Sequence, residues 1–195
     1  MERFYLITHS VRLIEQLAPL GVKLIQLRIK NTSEVELKSQ IKAALHCCQF
    51  YKVQLVLNDY WHLALDLGIN FVHLGQEDLQ TADFEALRLA QVRFGISTHD
   101  HHELKRALAL NPNYVALGPV YETLLIKMKW QPQGLERVRV WKNKIQSIPL
   151  VAIGGLTPAR AKDVFFAGAD SVAVVTDIHQ APDPVARCKE WLVIV

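Results

Sequence analysis

The chain has only three cysteines in 195 residues, Cys47, Cys48 and Cys188. An odd count with an adjacent pair offers neither a disulfide framework nor a C-x-x-C metal pair, and it points to a reducing, cytoplasmic compartment. Long apolar runs are missing as well. Residues 191–195 are among the longest, far short of the roughly 18 to 20 that a bilayer-crossing helix needs. Residues 1–10 lack a basic region leading into an apolar stretch and a small-residue cleavage site, so no secretory signal is expected. Charge of one sign is barely in excess: Lys plus Arg number 22 against 19 for Asp plus Glu, with no basic tail or stripe. Nucleic acid and membrane surfaces are therefore poor candidate partners. No G-x-G-x-x-G follows the first β-rich run and no P-loop occurs anywhere, which weakens an open doubly wound nucleotide-binding sheet.

What the chain does contain is alternation. Short β-rich runs fall at 4–8, 24–29, 54–58, 71–74, 93–97, 114–117, 149–153 and 171–175, each followed by a longer helical stretch. Most runs are almost continuously apolar, as parallel strands covered on both faces should be. Ser33 with Glu36 and Asp100 with Glu103 read as capping boxes, and Thr157-Pro158 reads as a cap with proline at the first helical position. Eight βα units at about 24 residues each predict a single (β/α)8 barrel over residues 1–195, with its active site where the strands end.

The strand ends carry the chemistry. Gln26, Arg28 and Lys30 alternate with Leu27 and Ile29, so a period of two sets the polar trio on one face, pointing inward. Two cations and an amide there suit an anion, or else a salt-bridge network inside the barrel. The third run ends Asn58-Asp59 and the fourth leads into His73-Leu74-Gly75-Gln76-Glu77-Asp78. Asp59 and Asp78 above neighbouring strands suit Mg2+, which takes one or two carboxylates and completes its shell with water and phosphate oxygens; taken alone, each would more often cap a following helix. Gly154-Gly155 after the seventh run and Val175-Thr176 after the eighth stand where this fold often binds phosphate, although Gly-Gly is also an ordinary tight turn. Of the cluster Ser97-Thr98-His99-Asp100-His101-His102, Asp100 reads as a helix cap with His101 and His102 behind it, leaving Ser97 as the site candidate. The long connection from Gly118-Pro119-Val120-Tyr121 to Gly134 reads as a lid over the mouth. The apolar segment 191–195 suits packing against the barrel or against a partner.

Taken in order, the motifs Gln26-Leu27-Arg28-Ile29-Lys30, Asn58-Asp59, His73-Leu74-Gly75-Gln76-Glu77-Asp78, Ser97-Thr98-His99, Gly118-Pro119-Val120-Tyr121, Pro132-Gln133-Gly134 and Ala152-Ile153-Gly154-Gly155 resemble those of the thiamine phosphate synthase family. The resemblance implies a transferase on two small molecules, joining hydroxymethylpyrimidine pyrophosphate to hydroxyethylthiazole phosphate. It implies that Gln26, Arg28, Lys30, Asn58 and Ser97 hold the pyrimidine pyrophosphate, that Asp59 and Asp78 hold Mg2+, and that Thr123, Gly155, Val175 and Thr176 surround the thiazole phosphate. One stretch departs from the pattern. Where the family usually has P-T-x-T-K, residues 122–126 read Glu-Thr-Leu-Leu-Ile, putting Leu125 and Ile126 on two polar positions. The neighbouring Lys127 is the residue expected to supply the missing charge. Two alternatives stand beside synthesis. One is a thiazole tautomerase-like enzyme, favoured by Glu122 and disfavoured by Pro119, where that branch usually has histidine. The other is a non-catalytic protein that binds thiamine precursors.

Overall fold

The computed structural model describes residues 1–123 and 130–195. Strands and helices alternate: β1 (Phe4–Thr8), α1 (Val11–Leu17), β2 (Leu24–Leu27), α2 (Glu34–Phe50), β3 (Gln54–Asn58), α3 (Trp61–Leu67), β4 (Phe71–Leu74), α4 (Phe84–Leu89), β5 (Arg93–Thr98), α5 (His101–Ala109), β6 (Tyr114–Leu117), α6 (Gly134–Ile145), β7 (Leu150–Ile153), α7 (Pro158–Phe166), β8 (Ser171–Val174), α8 (Thr176–His179) and α9 (Pro184–Ile194). Every strand pairs in parallel with its sequence neighbour, and β8 pairs with β1 through Phe4 opposite Val172, closing the barrel. This is the (β/α)8 architecture expected from the alternation. Among the described residues no helix is long and apolar enough to cross a membrane.

Two apolar regions follow from strand parity. Leu6, Ile25, Leu27, Leu57, Val72, Leu74, Ile96, Val115 and Leu117 point outward into the layer shared with the helices. Tyr5, Ile7, Leu24, Val56, Phe71, Tyr114, Ala116, Val151 and Ala173 fill the barrel itself. On β2 the split is as the alternation predicts, with Leu27 and Ile29 in the outer layer and Gln26 and Arg28 on the inner side. The strand stops at Leu27 rather than at Ile29. The Arg28 N–H still bonds the Thr8 carbonyl at 2.8 Å, but the ladder to β3 ends at Leu27 opposite Leu57, and Asn31 turns the chain away at φ 57°.

The caps explain where several helices begin. Ser33 Oγ accepts from the Glu36 N–H at 3.3 Å and Asp100 Oδ1 from the Glu103 N–H at 2.8 Å. Neither Glu returns the bond as a full capping box would. Glu103 accepts from the N–H of His99, one residue further out, at 2.8 Å, and Glu36 from Gln40 at 3.0 Å. Thr157 precedes α7 without a side-chain bond, so Pro158 alone marks that start.

The apolar C-terminal segment is an internal fixture at its most important residue. Trp191 is fully buried, stacks on Phe4 at 5.6 Å between ring centres, and donates its indole N–H to Asp177 Oδ2 at 2.7 Å. Replacing it by alanine removes a large buried ring and strands a carboxylate contact. Trp191→Ala should cost about 3–5 kcal/mol in urea unfolding; a loss below about 1 kcal/mol would mean that the helix is not anchored there.

Candidate active site

The mouth of the barrel opens into a cavity of about 590 Å³. Each strand end delivers the residue its parity predicts: Gln26, Arg28 and Lys30 from β2, Asn58 and Asp59 from β3, His73 and then Gln76 and Asp78 from β4, and Ser97 from β5 all line it. Asp59 reaches this position through a left-handed backbone, φ 64°, directly after the strand. Asp tolerates that conformation better than most residues, and here it turns the carboxylate over the mouth.

Neither carboxylate caps a helix. Asp59 forms an ion pair with Lys30 at 2.7 Å, and α3 begins at Trp61, after Tyr60, with no side-chain cap. Asp78 Oδ2 accepts from the Gly75 N–H at 2.7 Å, folding its loop back on itself. Burial and the neighbouring Asp59 carboxylate, which also shares a hydrogen bond with it, push the Asp78 carboxyl above the ordinary range. Two acids side by side with one lysine between them leave negative charge that a cation would relieve. Arg28, half-buried, has no carboxylate partner among the described residues. Gln76 donates to the Ser97 carbonyl at 2.7 Å while its Oε1 is buried without a partner.

The floor below is polar and buried. Gln26 Nε2 donates to Tyr5 Oη at 2.8 Å, Tyr5 Oη lies 3.0 Å from Tyr114 Oη, Tyr114 Oη lies 2.6 Å from His73 Nδ1, and His73 Nε2 lies 2.8 Å from Ser97 Oγ. Burial lowers the His73 imidazole to about 4, with Arg28 and His99 pressing the same way and Asp59 opposing, so it is neutral at physiological pH. Burial raises both tyrosines. On the adjacent wall His99 pairs with Glu103 at 2.7 Å and stacks on Trp130 at 5.5 Å, while His101 and His102 open α5 behind the Asp100 cap as expected.

The β7 and β8 ends form a second hollow of about 550 Å³, bordered by Thr123, Gly155 and Thr176. A narrow neck of about 40 Å³ lined by Ile153, Gly155, Val175 and Thr176 lies between it and the mouth, which also includes Ile153 and Val175. The β6 loop runs along the β7 loop, with the Val120 N–H bonded to the Ile153 carbonyl at 2.8 Å and that of Tyr121 to Gly154 at 3.0 Å. Gly155 sits at φ 62°, and any Cβ there would strike the Glu122 carbonyl, so the close approach of the two loops requires glycine. Gln133 holds the far end of the same loop by donating to the Gly118 carbonyl at 2.8 Å. Leu125, Ile126 and Lys127 lie outside the described residues.

Several residues of this geometry escape strand-end reasoning. Tyr5 and Tyr114 sit below the strand ends, and only their inward parity hints at a role. Arg160 is the other. Its guanidinium lies 4.5 Å above the Tyr121 ring and donates to the Gly155 carbonyl at 2.5 Å. The nearby Arg187 is neutralised by paired 2.8 Å bonds to Asp177, whereas Arg160 has no carboxylate partner among the described residues. Its only sequence signal is its place on the first turn of the helix that follows Gly154-Gly155.

Residues 4–178 match the profile of a family described as thiamine monophosphate synthase. The chain is 54% identical over 192 residues to a thiamine-phosphate synthase of Rhizobium etli, covering 98% of this chain and 94% of that protein. It is 44% identical over 179 residues to a thiamine-phosphate synthase of Cronobacter sakazakii, covering 92% and 85%. A thiamine phosphate pyrophosphorylase from Pyrococcus furiosus superposes with a TM-score of 0.86 at 26% identity, covering 98% and 94% of the two chains. With profile, sequence and architecture in agreement over nearly its full length, the chain belongs to the thiamine monophosphate synthase family.

Proposed function

We propose that the chain joins hydroxymethylpyrimidine pyrophosphate to hydroxyethylthiazole phosphate, forming thiamine phosphate and releasing pyrophosphate. The observation that carries this reading is the gathering of Arg28, Lys30, Asp59 and Asp78 at one mouth, above a buried hydrogen-bonded floor. In the reaction the bond from the pyrimidine methylene carbon to the pyrophosphate oxygen breaks, its electron pair leaves with the oxygen, and the thiazole nitrogen lone pair takes the vacated carbon. Negative charge therefore grows on the departing group. Arg28 and Lys30 stand where they stabilise that charge more in the transition state than in the ground state.

The donor set suits Mg2+: two adjacent carboxylates, one held protonation-prone by the other, together with room for phosphate oxygens. Asp59 and Asp78 would hold the ion, and when bound it supplies further positive charge against the leaving pyrophosphate. Gln26, Asn58 and Ser97 orient the pyrimidine. Thr123, Gly155, Val175 and Thr176 border the thiazole phosphate, and Arg160 supplies there the charge that Leu125 and Ile126 do not. Three thiols without disulfides, two of them buried, fit a cytoplasmic setting.

Incubation with both phosphorylated precursors and Mg2+ should yield thiamine phosphate and pyrophosphate in equal amounts, and chelation should stop it. Absence of thiamine phosphate under every condition would favour the tautomerase or binding-only reading. Asp78→Asn should lower turnover by at least about a hundredfold, since it removes charge at the ion site. The same change should raise the thermal midpoint of the metal-free protein by relieving the repulsion from Asp59; a fall would contradict that electrostatic account. Arg160→Ala should raise KM for the thiazole phosphate by roughly tenfold, the equivalent of one charge-assisted hydrogen bond, with little change for the pyrimidine substrate.

A further inference from the structure

Gln26 and Ser97 stand on β2 and β5, and the floor of the barrel joins them through three buried side chains without a break. We infer that this row is a proton-ordered chain whose direction sets what the pyrimidine subsite offers, an acceptor at Gln26 and a donor at Ser97. Tyr5, Tyr114 and His73 are then positioning residues that select an aminopyrimidine over its oxo analogue. The inference deepens the proposed function and rests on it for the identity of the ligand.

The direction follows from one end. An amide nitrogen only donates, so Gln26 Nε2 gives a proton to Tyr5 Oη at 2.8 Å. The Tyr5 hydroxyl then has its own proton to give, and in the inferred order it goes to Tyr114 Oη at 3.0 Å. Tyr114 in turn donates to His73 Nδ1 at 2.6 Å. A ring nitrogen that accepts leaves the imidazole proton on the other one, so Nε2–H donates to Ser97 Oγ at 2.8 Å. With its oxygen already accepting, Ser97 has its hydroxyl proton to offer to the cavity, and Gln26 has its Oε1.

Every link depends on the others. The fully opposite order runs backwards through all four bonds and requires the Gln26 amide to turn end for end. An imidazolium cannot join the chain, because both ring nitrogens would donate and the Tyr5 hydroxyl would be left without an acceptor within it.

A single missing side chain makes the row continuous. His73, Gly95 and Tyr114 lie side by side in register across β4, β5 and β6. A Cβ on Gly95 would collide with the Tyr114 ring, and the empty place lets the His73 and Tyr114 rings stack at 5.6 Å and 14°.

An acceptor at Gln26 matches the exocyclic amine of an aminopyrimidine, and a donor at Ser97 matches a ring nitrogen. A 4-oxo ring reverses both, presenting a carbonyl and a ring N–H, and would leave polar groups of the site unpaired.

The direction is tested without substrate by 15N NMR of histidine-labelled protein. His73 should be the neutral Nε2–H tautomer; an Nδ1–H tautomer would overturn the ordering. Calorimetric binding of the amino and 4-oxo pyrimidine pyrophosphates, which needs no turnover, tests the consequence. The wild-type protein should prefer the amino form by about a hundredfold or more. Tyr114→Phe should lose at least about tenfold of that preference while its affinity for thiazole phosphate holds. Retained discrimination in Tyr114→Phe, or in Tyr5→Phe should the first variant not fold, would sink the proposal, as would a wild-type protein with no preference. A protein that binds with this preference yet forms no thiamine phosphate would refute the synthase reading and leave the ordering intact.

Discussion

Side-chain alternation on a closed sheet is the constraint from which the rest of this molecule follows. Each strand is covered by helices outside and by its neighbours inside, so every second residue enters a space that water cannot easily share. Inward polar groups must satisfy one another or a ligand. Lower in the barrel they satisfy one another through Tyr5, Tyr114 and His73, and at the mouth Arg28, Asp59 and Asp78 carry charge that protein partners only partly answer. The gradient from a self-satisfied floor to an unsatisfied rim is what turns a structural barrel into a binding site.

The loops add what strand parity cannot. Asp59 needs a left-handed backbone to turn over the mouth, Asp78 needs its bond to the Gly75 N–H, and Gly155 needs the absence of a side chain to let the β6 loop pass. None of these is a feature of the strands themselves. They occur at the junctions, where the sheet ladder ends and the backbone is free to adopt conformations that it could not within the ladder.

Much of this was legible beforehand, and the reasons differ by residue. Eight apolar runs separated by helical stretches predicted the strands to within a residue or two, because parallel strands buried on both faces leave an unmistakable pattern. The error at β2 arose because Arg28 and Ile29 continue the alternation after the partner ladder has stopped. Gln26, Arg28, Lys30, Asp59 and Asp78 were readable as strand-end polar groups, and each lines the mouth. The floor was not readable, since Tyr5 and Tyr114 are 109 residues apart and only the closed barrel brings them together. Arg160 was missed for a different reason, being an ordinary exposed helical arginine until Tyr121 and Gly155 are seen beneath it.

Trp191 has a consequence for how the barrel is completed. The seam between β1 and β8 pairs Phe4 with Val172, and the indole lies on Phe4 while reaching Asp177 just beyond β8. Its contacts therefore span the two segments whose meeting demands the largest loop closure in the chain. A ribosome-bound chain lacking α9 would hold seven of the eight strand junctions as near-neighbour pairings but lack the clamp across the eighth. Helix α9 thus acts as a latch, tying closure of the barrel to the docking of a segment that follows all eight strands.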